Sequence, residues 1–350
     1  MLLEENKPLA PYTTLGIGGP ARWFVRAVCD SDVVEAAHWA REHGAPVFVL
    51  GGGSNLLVSD RGFDGLVIQV ALEGISEQDV GRDTVLFRVA AGEDWNRFVQ
   101  RAVDENCAGI ECLAGIPGTV GGTPVQNVGA YGQEVAPVIG RVCAYDLRDG
   151  GVVEFGREQC GFAYRRSRFN TTDRGRYVAL RVDFQLRRGG APELRYADLQ
   201  RVFAPDAKPT LAEVADAVRQ IRQRKGMLLV DGDPDCRSAG SFFKNPVVAV
   251  RDAERISAAA HADVPQFPCG VDGMVKVSAA WLIEHAGFAK GFALGAAAVS
   301  SRHTLALVNR GGATALDVLS LADRIRNTVQ DRFGVALELE PVMVGFGESR

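Results

Sequence analysis

The sequence predicts an α+β protein in two parts, on three observations. Short strand-like runs dominate the first half, with only two helical patterns among them. Longer amphipathic helices mark the second half. Two uncharged glycine loops lie in the first half, and neither opens a helix as the glycine turn of a doubly wound dinucleotide fold must.

In chain order, residues 22–26 (RWFVR) read as a strand. Asp32 and Glu35 start a helix in the manner of a capping box. Val33, Ala36, Ala37 and Ala40 share one face of it, and Gly44 ends it. Residues 47–50 (VFVL) are a short buried strand, followed by Gly51, Gly52, Gly53, Ser54 and Asn55, then by strand-like 56–59 and 66–70. A glycine turn between strands is as readily a plain hairpin as a ligand loop. A second helix follows Gly92, with Trp95, Phe98, Val99, Ala102 and Val103 at helical spacing. Strands are expected at 84–90, 141–147, 152–155 and 177–186, the last alternating through Val178, Leu180, Val182 and Phe184.

Composition changes at 187–192 (RRGGAP), which places a domain boundary after residue 190, the first domain dividing near residue 72. In the second domain, 191–350, Thr210 and Glu213 cap a helix with Leu211, Val214, Val218 and Ile221 on one face. Its basic end (Arg222, Arg224, Lys225) suits the helix dipole, and Gly226 closes it. Residues 231–235 (DGDPD) read as a loop, 314–333 as a helix and 335–344 as a final strand.

The stretch 115–132, GIPGTVGGTPVQNVGAYG, holds six glycines, two prolines and no charged residue. Exposed loops usually carry Lys, Glu, Ser and Asp, so this one suits a ligand cradle in which backbone approaches the ligand closely. Successive amides in such turns form concave anion sites. With loop 51–55, it points to a nucleotide- or flavin-sized ligand. Residues 16–21 (GIGGPA) match a dinucleotide fingerprint only on paper, because Pro20 lies inside and a strand pattern follows.

A net charge of −4 argues against nucleic acid or an anionic membrane surface as the main partner. The apolar runs are too short to span a membrane, and residues 1–5 (MLLEE) lack signal-peptide character. Seven cysteines without a C-x-x-C pair read as free thiols in a reducing cytoplasm, and no metal site is expected from the five histidines.

Three segments stand out for chemistry. Residues 241–246 (SFFKNP) set Ser241, Lys244 and Asn245 on a strand after Gly240. Residues 164–167 (YRRS) concentrate guanidinium groups as a carboxylate or phosphate site would want, although such arginines are commonly just solvated. Glu338 and Glu340 lie two apart in the expected final strand. They share a face that is either exposed or covered, and covering would make one a proton donor.

Together these segments resemble the UDP-N-acetylenolpyruvoylglucosamine reductase family, the flavoenzymes of peptidoglycan synthesis, nearly end to end. The resemblance rests on 6–21 (NKPLAPYTTLGIGGPA), 50–58 (LGGGSNLLV), 113–132, 162–169 (FAYRRSRF), 240–246 (GSFFKNP) and 299–309 (VSSRHTLALVN). It implies an FAD-binding domain of the vanillyl-alcohol-oxidase type, followed by a mixed α/β substrate-binding domain whose C-terminal strand returns to the flavin. FAD would be held without a covalent bond by Gly51, Gly52, Gly53, Ser54, Asn55, Gly115, Pro117, Gly118, Gly121, Gly122 and Thr123. Arg165, Ser241 and Glu340 match the catalytic residues. Tyr131, Tyr164, Tyr196, Lys225 and Asn245 match substrate-binding positions. Pro341 and Val342 depart from the usual residues after the acid, so Glu338 and Glu340 both stay candidates for it.

The implied reaction takes a hydride from NADPH by way of FAD to the enolpyruvyl group of a UDP-sugar, in a cytoplasmic monomer serving cell-wall growth, cell shape and division. The carboxylate-conjugated enolate would be stabilised by Arg165 and protonated Glu340 and protonated by Ser241. Two rivals are a flavin oxidase and a non-catalytic nucleotide-binding protein. None of the histidines that could tether a flavin lies in either glycine loop. The second rival leaves Ser241, Arg165 and Glu340 unexplained.

Overall fold

The computed structural model describes residues 1–347. Close contacts gather the chain into two units. One comprises Met1–Lys7, Ala21–Gly52 and Asp64–Gln223, the other Pro8–Pro20, Gly53–Phe63 and the chain from Arg224 onward.

The first unit has two sheets. Leu3–Pro8, Pro20–Ala27, Phe63–Val70 and Val47–Leu50 lie side by side in that order, the last two parallel. Parallel neighbours need a covered face. Helix Asp30–Glu42 supplies cover, burying Val33, Ala36, Ala37 and Ala40 with Val25, Ala27, Leu66 and Ile68. It starts two residues earlier than expected, because Asp32 accepts the Val28 amide at 3.0 Å from inside the first turn. Gly44 follows it at φ 60°.

The larger sheet is antiparallel, in the order Val152–Gly156, Ile139–Asp146, Tyr177–Arg188, Thr84–Ala90 and Ile75–Asp79, with Cys107–Ala108 paired to the end of the long strand. Helix Trp95–Asp104, capped by Asp94 on the Arg97 amide, buries Trp95, Phe98 and Val99 against Phe87 and Phe184. Helix Leu211–Arg224 belongs to this core through Leu211, Val214, Val218 and Ile221. The contact boundary therefore falls after Gln223, not after residue 190. The apolar stripe that identifies this helix also ties it to the first unit.

In the second unit, Ser238–Ser241, Ala306–Asn309, Ala297–Val299 and Ala293–Leu294 form an antiparallel sheet. Helix Ala315–Phe333, boxed by Thr314 and Asp317, buries Val318, Leu321, Ala322, Ile325 and Val329 over it. Leu56–Val58 pairs in parallel with Val342–Val344. The stretch expected as a ten-residue strand thus becomes irregular over 335–341, apart from a bridge between Leu339 and Phe243, before a three-residue strand. The plain-hairpin reading of 47–58 also fails, because its two strands sit in different sheets.

Candidate active site

In the first unit the two glycine loops meet backbone to backbone. A Cβ on Gly52 would stand 2.6 Å from the Gly118 Cα, and one on Gly51 would stand 2.8 Å from Thr119 Oγ1. At Gly52, where the neighbour is backbone, only glycine permits that approach. The second loop is pinned from behind. The Gly115 amide donates to Asn96 Oδ1 at 2.6 Å, and its carbonyl accepts from Arg222 Nε at 2.9 Å. The Gly118 carbonyl accepts the Trp95 amide, and the Gly121 amide donates to Ala91 O at 2.8 Å. Pro117 is half-buried between these anchors. A Cβ on Gly122 would meet nothing within 4 Å.

Thr123 is buried and its hydroxyl donates to Val120 O at 2.8 Å, so it closes the turn. Thr119, which the sequence reading passed over, has the more telling hydroxyl. Its Oγ1 is buried without a hydrogen-bond partner where the loops touch. A buried polar atom left unpaired asks for an external partner. An uncharged, side-chain-poor cradle with an orphaned hydroxyl fits an extended dinucleotide such as FAD. Gly51, Gly52, Gly115, Pro117, Gly118, Thr119, Gly121 and Gly122 would line it.

Gly53, Ser54 and Asn55 belong to the second unit. Gly53 has φ 64° and no room for a side chain beside Tyr12, and its carbonyl accepts the Thr14 amide at 3.1 Å. Ser54 is half-buried. Asn55 spans to the tail, its carbonyl taking the Val342 amide at 2.9 Å and its Nδ2 donating to Glu340 O at 3.2 Å.

Arg165, in the first unit, sits in a tight turn closed by reciprocal bonds between Ala163 and Arg166, each 3.0 Å. Its φ is 54°, at a turn position where glycine is ordinary. Such a non-glycine conformation costs on the order of 1–3 kcal/mol and persists only where surroundings enforce it. Arg165 Nη2 donates to Gly129 O at 2.7 Å, and the guanidinium carbon lies 5.3 Å from the Tyr164 ring centre.

Nearby, Tyr131 and Gly132 both have positive φ and link Gly129–Ala130 to Gln133–Glu134, the pattern of a type I′ hairpin. Tyr131 packs edge-on against Tyr196 with centroids 5.3 Å apart. Tyr131 is also the hydrogen-bonding partner of buried Arg222, whose pKa burial pushes down from the usual arginine value.

In the second unit, Ser238–Ser241 pairs with Ala306–Asn309 through a register slip at Gly240, whose φ is 73°. That β-bulge re-aims the strand's end. Ser241 is its last residue, so the expected strand through Pro246 stops there. Ser241 is half-buried, and its hydroxyl makes no hydrogen bond to another described residue. The Glu340 amide donates to Phe242 O at 3.0 Å, which fastens the tail beside Ser241. Glu340 is half-buried, whereas Glu338 is exposed and pairs with Lys244 at 3.2 Å. The shared-face expectation fails because the backbone between them is not a regular strand.

Asn245 Oδ1 accepts the Ala279 amide at 2.9 Å, so any substrate contact falls to its Nδ2 group. Lys225 is half-buried just beyond helix Leu211–Arg224.

A model described as the UDP-N-acetylenolpyruvoylglucosamine reductase C-terminal domain matches 233–344, and an FAD-binding-domain model matches 21–156. The UDP-N-acetylenolpyruvoylglucosamine reductase of Thermobifida fusca is 47% identical over 97% of this chain and 98% of its own length. The chain belongs to the UDP-N-acetylenolpyruvoylglucosamine reductase family. It is an FAD-binding oxidoreductase of peptidoglycan precursor synthesis. The reductase of the same name from Pseudomonas aeruginosa is 41% identical over 97% of this chain and 98% of its own. The crystal structure of the Thermus caldophilus reductase superposes with a TM-score of 0.67 at 28% identity, covering 98% of this chain and 100% of that one. Among the described residues no helix is long and apolar enough to cross a membrane.

Proposed function

We propose that this reductase takes its hydride from NADPH, holds FAD without a covalent bond, and converts UDP-N-acetylglucosamine-enolpyruvate to UDP-N-acetylmuramate, the two substrates binding in turn. The observation that carries the reading is Ser241, a half-buried hydroxyl at the end of a bulged strand with no hydrogen-bond partner among the described residues. A side chain with no structural duty suits a proton donor.

When bound, the flavin supplies the hydride chemistry that no side chain can perform. Reducing the enolpyruvyl double bond leaves an enolate conjugated to the substrate carboxylate. Arg165 and a protonated Glu340 oppose that developing charge. Ser241 Oγ–H delivers a proton to the carbon next to the carboxylate, and the oxygen regains one from water. Tyr131, Tyr164, Tyr196, Lys225 and the Asn245 Nδ2 group hold the UDP-sugar. Gly53, Ser54, Asn55 and Thr123 support the cofactor loops. In this reading 1–190 is the cofactor region and 191–350 the substrate region, and helix Leu211–Arg224 of the latter lends its apolar face to the core of the former.

Stopped-flow absorbance tests the proposal. NADPH should bleach the flavin band without oxygen, and the enolpyruvyl substrate should restore it. Reoxidation by oxygen but not by that substrate would overturn the reading in favour of an oxidase. Flavin that stays with the precipitate after acid treatment would show covalent attachment.

A further inference from the structure

We propose that Asn127 is a positioning residue for Arg165, holding the strained turn that carries the guanidinium through a closed ring of hydrogen bonds. The inference rests on the reading of Arg165 as the group that meets the substrate carboxylate.

Asn127 is buried, with only 1% of its surface exposed, and has φ 43°. Asparagine tolerates that left-handed conformation better than most side chains. One Nδ2 hydrogen goes to Ala163 O at 3.1 Å and the other to Glu134 Oε2 at 2.8 Å, while Oδ1 accepts the Ala136 amide at 3.1 Å. The reverse amide orientation would set its oxygen against two acceptors, so the network fixes the orientation.

Ala163 O is the decisive partner. It accepts both the Arg166 amide that closes the turn and Asn127 Nδ2, which occupies both lone pairs. Two residues on, Arg165 Nη2 donates to Gly129 O, and Gly129 pairs across the short hairpin with Glu134. The ring closes: Asn127 to Ala163, through the turn to Arg165, to Gly129, across to Glu134 and back to Asn127. A Cβ on Gly129 would stand 2.6 Å from Glu134 Cγ and 3.3 Å from Arg165 Nη1, so the ring has no slack. Ser167 Oγ adds an outer tie to Val125 O at 2.7 Å. Asn127 thus couples the second glycine loop both to the Arg165 turn, through Ala163 O, and to the hairpin residue Glu134 opposite Gly129.

The test compares two half-reactions in Asn127→Asp, Asn127→Ala and Arg165→Ala. A displacement of about 1 Å at a positioned group can slow a reaction on the order of 10²-fold. Asn127→Ala should slow flavin reoxidation by the enolpyruvyl substrate roughly 10–100-fold, with reduction by NADPH within about 2-fold of the parent. Asn127→Asp keeps the shape but, when ionised, sets a carboxylate against Glu134 and cannot donate to Ala163 O. Two adjacent carboxylates share a proton. Reoxidation should therefore be slow at neutral pH and recover as pH falls. Adding Glu134→Gln should abolish that pH dependence.

A merely structural Asn127 would slow both halves equally or release FAD, and either result overturns the proposal. So does unchanged reoxidation in Asn127→Asp while Arg165→Ala is slow. If Arg165→Ala itself reoxidises normally, the reading of Arg165 fails and takes the proposal with it. That failure is distinguishable, because it appears without any change at Asn127.

Discussion

Arg165 and Ser241 reach their positions by opposite means. Arg165 itself occupies a positive φ, and side chains from 127, 134 and 167 secure the surrounding turn. For Ser241 the unusual φ falls one residue earlier, on Gly240, and a main-chain ladder to Ala306–Asn309 sets the rest. The contrast has a consequence for mutation. When the functional residue carries the strain, distant side chains control it. When a neighbouring glycine carries it, the functional side chain can be removed without disturbing the scaffold.

The largest expected effect tests the second half of that contrast. Ser241→Ala should slow flavin reoxidation by the enolpyruvyl substrate by on the order of 10²–10⁴, the usual range for a positioned acid. Reduction by NADPH and the thermal midpoint should stay within error of the parent. Stopped-flow traces separate the halves, and equal slowing of both would make Ser241 structural.

Next in size is the pair of tail glutamates. Glu340→Gln should slow the same half-reaction by roughly 10²–10³, the loss seen when one charge-stabilising group is removed. Glu338→Gln should change it by less than about 2-fold, because an exposed ion pair such as that with Lys244 contributes little. The reverse ranking would move the acid to Glu338.

Gly240→Ala probes the scaffold. A Cβ there meets nothing within 4 Å, so the penalty is conformational alone, about 1–2 kcal/mol in thermal stability. Substrate turnover should fall with it, as the bulge that aims Ser241 relaxes. A stable variant with full activity would show that the bulge does not aim the hydroxyl.

The smallest effect serves as a control outside both modes. Arg176 pairs with buried Asp146 at 2.7 Å and holds its carboxyl below the ordinary carboxylate range. A lowered folded pKa stabilises fully above the unfolded value of about 3.9 and is lost as pH falls through the folded value. Asp146→Asn should therefore lower the thermal midpoint near neutrality, with the gap closing below about pH 4 and both half-reactions unchanged. Melting curves across that range check it, and a gap that persists in strong acid would discount the ion pair.

Much of the fold was legible because periodicity survives in the chain. The alternation of Val178, Leu180, Val182 and Phe184 became the long central strand, and Thr210 with Glu213 capped its helix as expected. The glycine loops were legible from composition, since close backbone approach admits no other residue. What escaped were features without a period. The bulge at Gly240 is one residue of slip, and the bends after Phe333 depend on pairing with Phe242 and Lys244, far away in sequence. Thr119 and Asn127 were hidden because their roles come from partners: one from lacking a buried partner, the other from having three. The available signal was thin, one hydroxyl and one amide among several in an uncharged glycine run.

The parallel pairing of Leu56–Val58 with Val342–Val344 also sets a timetable for synthesis. Apart from short borrowed segments, the first unit is complete once Gln223 has emerged, whereas the strand at 56–58 must wait for the last described stretch of the chain. At roughly 5–20 residues per second, that wait lasts about 15–60 s. During it, an apolar strand edge that is buried in the finished protein stands open on the ribosome-bound chain. Chaperone demand in this enzyme should therefore fall late in translation, and truncations near residue 340 should aggregate through the strand at 56–58 while the first unit still folds.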